Sequence, residues 1–142
     1  MKAISFFSTL QDISIDNAFV VHIPENILTE QDLFMEFNNQ MLFPYFGFNW
    51  DALYDLLRDF HWINQKTIII IHKDIPLLHP NNQSTYIELL FDCINDWKDD
   101  EYYALEVYFP IKFQEQINGY ISKILHDRTN EFLDGLVDID SI

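Results

Sequence analysis

A chain of 142 residues in which about half the side chains are apolar can fill the core of one domain, and with only three glycines and five prolines it excludes extensive disorder. Its 23 acidic residues against eight Lys and Arg leave a formal charge of −15, which repels nucleic-acid phosphates and anionic membranes and suits a basic partner, although acidity also serves plain solubility. Apolar runs such as residues 68–71 fall far short of the roughly 20 residues of a membrane span, the first residues lack a signal peptide's apolar stretch, and the single Cys93 excludes an internal disulfide, so a cytoplasmic location is expected.

Residues 1–16 carry no clear periodicity. Residues 17–23 (Asn-Ala-Phe-Val-Val-His-Ile) form a β-branched run ended by Pro24 and predict a strand. Thr29 followed by Glu30, Gln31 and Asp32 is an N-cap with acids in the first turn, and Leu33, Phe34, Phe37 and Met41 recur at helical spacing until Pro44 forbids continuation. After the loop Pro44-Tyr45-Phe46-Gly47-Phe48, Asn49 is a second N-cap, and Leu53, Leu56, Leu57 and Phe60 predict a helix over residues 49–60. Gly47 is expected to give that loop a backbone conformation other residues resist.

Residues 67–72 (Thr-Ile-Ile-Ile-Ile-His) read as a strand buried on both faces, as in a parallel sheet covered by helices. Beyond the turn-rich Pro80-Asn81-Asn82, the apolar positions Ile87, Leu90, Phe91, Ile94 and Trp97 predict a helix over residues 83–98, with Cys93 in the core. Residues 103–109 alternate as a strand with one partly wet face and stop at Pro110, and a last helix is expected over residues 113–127, with residues 134–142 fraying. Strands joined through helices favour parallel pairing by right-handed crossovers. The expected fold is α/β: one domain over residues 1–142, with its core about residues 17–109 and a C-terminal helical extension from 110.

The helix over residues 49–60 carries the chemistry of interest. With Leu53, Leu56, Leu57 and Phe60 turned inward, Asp51, Tyr54, Asp55 and Arg58 share the outer side and Asp59 lies near it. Asp51, Asp55 and Asp59 stand four residues apart, a like-charge spacing that costs an isolated helix roughly 0.2–0.5 kcal/mol per pair. Asp51 is explained by the positive helix N-terminus and Asp55 in part by Arg58, three residues on, so spacing alone leaves both a structural and a partner-binding reading of the acids open.

The run Tyr45-Phe46-Gly47-Phe48-Asn49-Trp50-Asp51-Ala52-Leu53-Tyr54-Asp55 resembles the signature of the barstar family, Tyr-aromatic-Gly-x-Asn-x-Asp-Ala-Leu-aromatic-Asp, which opens that family's inhibitory helix. The resemblance implies a small three-stranded, mostly parallel sheet flanked by helices and a protein that inhibits a ribonuclease inside the cell producing it. It further implies that Asp55 enters the nuclease active site where a substrate phosphate would lie. By the same resemblance Asp51 supplies a second interface carboxylate, Tyr45, Tyr54 and Phe60 supply interface aromatics, and Asn49 caps the helix beside the interface. The family also takes an acidic contact from the helix after the middle strand, for which Glu88, Asp92 and Asp96 are candidates. Phe48 stands where the best-known member has a polar or acidic residue, and Asp59 where it has glycine.

Other chemistry has little warrant. The five histidines, His22, His61, His72, His79 and His126, show no ligand spacing, and His22 and His72 read as satisfied strand residues, so no metal or cofactor is expected. Without a phosphate loop, a nucleophile elbow or a Cys-His signature, an enzyme is not expected either. The expected function is stoichiometric inhibition of a basic ribonuclease, as an immunity protein. Immunity to a non-ribonuclease toxin, a nucleic-acid mimic and an acidic structural or interaction domain are the alternatives. The high aromatic content leaves a homodimer open.

Overall fold

The computed structural model describes residues 2–140. Four strands, β1 (Ser5–Phe7), β2 (Ala18–Ile23), β3 (Thr67–His72) and β4 (Ala104–Pro110), form one parallel sheet in the order β1-β4-β3-β2. The helices are α1 (Glu30–Met41), α2 (Trp50–Leu56), α3 (Pro80–Trp97) and α4 (Gln114–Asp140), with 3-10 turns at Leu10–Asp12 and Ile111–Phe113. The sheet therefore has one strand more than the three expected. The missed strand, β1, is three residues long and makes its pairing with β4, about a hundred residues away in sequence, so no local alternation announces it.

The topology decides which face each element covers. From β2 to β3 to β4 the chain steps across the sheet in one direction, and right-handed crossovers then place α1, α2 and α3 on the same face. Val21, Ile23, Ile68, Ile70, Leu105, Val107 and Phe109 accordingly join Leu33, Phe34, Phe37, Leu53, Leu57, Tyr86, Ile87 and Leu90 in the main core. The step from β1 back to β2 runs in the opposite sense, which sends the 3-10 turn at Leu10–Asp12 to the other face. There Phe7 and Ile13 cover Ile69 and Ile71. The central strand is thus buried on both faces as expected, but the second cover is a short N-terminal segment rather than a helix. β4 shows the predicted alternation, with Leu105, Val107 and Phe109 buried and Glu106 and Tyr108 partly exposed between them.

Two polar devices hold this arrangement. His72, fully buried at the end of β3, lies 3.0 Å from the Tyr108 carbonyl through Nδ1 and 2.6 Å from the Tyr86 hydroxyl through Nε2, and it stacks on Phe109 at 3.8 Å. Because the carbonyl can only accept, Nδ1 carries the proton and Nε2 accepts from Tyr86; burial pushes the His72 pKa down to about 3. On the open edge of β2, the Gln40 amide closes on His22 at two points, accepting from its N–H at 2.7 Å and donating to its carbonyl at 2.6 Å. His22 is exposed and Cys93 is buried.

The helix limits differ where capping chemistry outweighs periodicity. α3 starts at Pro80 rather than at residue 83, since proline suits the first turn of a helix. α4 docks on α3 through the buried Gln83, whose Oε1 accepts from Gln116 Nε2 at 3.0 Å and from the Tyr120 hydroxyl, and through Ile117 and Ile124. It extends well past residue 127, and residues 126–135 are exposed. Of the segment expected to fray, residues 134–140 are helical and residues 141–142 lie outside those described.

Candidate functional site

The loop before α2 is built around one inward aromatic. Phe46 packs edge-on against Phe34 at 5.8 Å and Phe43 at 5.1 Å and leans on Phe48 at 4.8 Å. With Phe46 anchored, its neighbour Tyr45 is turned outward and is 80% exposed. The left-handed backbone conformation in this loop belongs to Phe48, at φ 51°, and not to Gly47. That corrects the role expected of Gly47: a Cβ there would sit 3.1 Å from Asn49 Nδ2, so the glycine makes room for the capping side chain. Asn49 uses that room. Its Nδ2 donates to the Gly47 carbonyl at 3.2 Å, and its Oδ1 accepts from the Ala52 N–H at 2.8 Å, satisfying a donor that the first helical turn leaves unpaired.

α2 keeps only seven residues of the predicted twelve-residue span. Leu53 and Leu56 are buried on its inner side, and the Leu57 carbonyl accepts from the Trp97 indole N–H at 2.8 Å. The chain then leaves the helical path and carries Phe60 into an aromatic cluster, stacked on Trp97 at 4.9 Å and edge-on to Tyr103 at 5.8 Å. Phe60 is 1% exposed. Its expected exposure among the partner contacts is therefore corrected: once the helix stops, the chain turns this aromatic into the core.

The remaining candidates lie on two sides of the α2 ridge. Tyr45, Gly47, Ala52, Asp55, Leu56 and Asp59 line a depression of about 460 Å³ on one side. Trp50, Asp51 and Tyr54 line a second groove, of about 240 Å³, facing Glu88, Leu89 and Asp92 of α3. Asn49, Asp51 and Asp55 are exposed and Tyr54 is half-buried.

One network crosses the ridge. The Arg58 guanidinium lies 3.9 Å over the Tyr54 ring, bonds Asp55 at 3.1 Å and approaches Asp96 at 3.7 Å, while the Tyr54 hydroxyl donates to Asp96 at 3.2 Å. Partial burial, and then the Asp96 charge, raise the Tyr54 pKa. At the end of the ridge His61 bonds Asp59 at 2.8 Å and holds its pKa below the usual carboxylate value. Of the three acids considered on α3, Asp96 belongs to the α2 network, whereas Asp92 receives a two-point bond from Arg128 of α4 at 2.8 and 3.0 Å and Glu88 lies 3.4 Å from the same guanidinium. Sequence patterning missed Arg128, because nothing in the α4 periodicity says which helix its side chain reaches.

A parallel sheet with its helices gathered on one face, displaying a short, capped, acidic helix beside an exposed tyrosine, defines an α/β domain whose most distinctive surface is that helix. The family model described as Barstar (barnase inhibitor) matches residues 18–114, more than half of the chain. The protein belongs to the barstar family. The match starts at the first residue of β2 and ends at the first residue of α4, so β1 and nearly all of α4 lie outside it. Comparisons with curated proteins and with solved structures find no significant match. Among the described residues no helix is long and apolar enough to cross a membrane, and no group of three or more His, Cys, Asp or Glu is placed to hold a metal ion.

Proposed function

We propose that this chain is a stoichiometric inhibitor of a basic ribonuclease, acting as an immunity protein in the cytoplasm of the cell that makes or receives the toxin. The observation that carries the reading is the placement of Asp55: an exposed carboxylate at the crest of a capped helix, in a chain of the barstar family. Such a carboxylate fits a cationic phosphate-binding site, where desolvation strengthens charge-assisted hydrogen bonds. Tyr45 and Asp51 flank it as further contacts, Tyr54 contributes its ring edge, Asn49 holds the helix start in register, and Asp96 is the acid that α3 adds. The formal charge of −15 draws a basic partner into encounter. The inhibitor needs no cofactor, because blocking requires only occupancy.

The test is inhibition of barnase, as a basic ribonuclease probe, by the wild-type chain and by Asp55→Ala, with capture from extract of the producing cell followed by a ribonuclease assay in parallel. Asp55→Ala is expected to lose at least about 2 kcal/mol of binding, roughly thirtyfold in affinity, as an interface hot spot does. Equal inhibition by both chains removes Asp55 from the interface. Capture of a toxin without ribonuclease activity moves the reading to immunity against another class of toxin.

A further inference from the structure

The acidic ridge has a cation at its centre. Arg58 is one of only eight Lys and Arg in the chain, and its side chain is 39% exposed where that of Asp55 is 73% exposed. An isolated surface pair of this kind contributes little. Arg58, however, is held three ways: over the Tyr54 ring, bonded to Asp55 and drawn to Asp96, which Tyr54 itself contacts from the neighbouring helix. Interactions that close a ring across two elements support one another, so Arg58 remains beside Asp55 when a partner arrives. The partner meets a carboxylate and a guanidinium side by side, not a lone carboxylate.

That pairing constrains the other surface. A wholly cationic patch could take Asp55 only by forcing Arg58 against like charge with water excluded, which is costly. An RNA-cleaving site offers a better complement, since beside the cations that stabilise the phosphate it needs a base to take the proton of the attacking hydroxyl. We propose that Arg58 is a specificity-determining contact: it pairs with a carboxylate of the nuclease active site while Asp55 meets the adjacent cations. This inference rests on the ribonuclease-inhibitor reading. It selects nucleases whose site carries such a carboxylate against those whose site is cationic throughout.

The experiment is a set of double-mutant cycles with full-length inhibitor and barnase as the probe. Arg58→Met keeps the length of the side chain without its charge, Arg58→Lys keeps the charge without the planar fork, and each active-site carboxylate of the nuclease is changed in turn to its amide. Thermal unfolding shows that each inhibitor variant is folded. Arg58→Met is expected to weaken binding at least tenfold, Arg58→Lys to recover part of the loss, and the loss to disappear against one particular carboxylate-to-amide nuclease. Unchanged or tighter binding by Arg58→Met, or a loss of the same size against every nuclease variant, overturns the contact and leaves Arg58 an internal counter-ion. Absence of binding by the wild-type chain at micromolar concentration counts against the ribonuclease reading itself, and this inference falls with it.

Discussion

Phe60 and Asp55 stand five residues apart, one buried in the core and the other largely exposed. Phe60 is buried among Trp97, Tyr103 and Trp62, and deleting a ring of that size leaves a cavity the surrounding rings cannot fill. Phe60→Ala is expected to cost about 3–5 kcal/mol of folding stability, read as the shift in a denaturant midpoint. Asp55, largely exposed, is expected to change stability by no more than about 0.5 kcal/mol when replaced by alanine, while partner binding collapses. A variant pair in which both effects fell on stability would place Asp55 in the fold and not in recognition. Cys93 illustrates a third case: its thiol is buried and burial raises its pKa, which makes it a poor nucleophile.

α2 is short, and its place depends on its start. Without the Asn49 cap the first turn loses a partner for the Ala52 N–H, and Asn49→Ala is expected to cost about 1 kcal/mol in unfolding free energy, with serine restoring most of it. The Asn49 cap and the inward Leu53 and Leu56 were legible in the sequence because capping and 3.6-residue spacing are local rules. Phe60 satisfied the same spacing, yet the helix had already ended where Trp97, forty residues away, bonds the Leu57 carbonyl. The same limit hid the left-handed conformation of Phe48: glycine is the residue that tolerates it most readily, so the sequence pointed to Gly47, whereas the positive φ falls on Phe48, which leans on the core-anchored Phe46. β1 and the reach of Arg128 also depend on partners distant in sequence. What was readable concerned single elements, and what was missed concerned where two of them meet.

For the molecule as a whole, stability should depend on acidity through His72. Its pKa in the fold is pushed down to about 3, against about 6.5 for an exposed histidine. Between those values the unfolded chain binds a proton that the folded chain refuses, so this group's contribution is complete above about pH 6.5 and is lost as pH falls, at up to about 1.4 kcal/mol per pH unit. Denaturant titrations from pH 7 to pH 5, above most carboxylate protonation, are expected to show that slope in the wild type and a flatter one in His72→Gln; parallel slopes would show that His72 does not carry the effect. Gln40 matters at this scale for a different reason. A sheet with a bare outer strand can template the growth of another sheet along it, a hazard for any protein stored at high concentration. By occupying both backbone groups of His22, a single side chain interrupts that template, and a second copy meets no free run of donors and acceptors at this point of the edge.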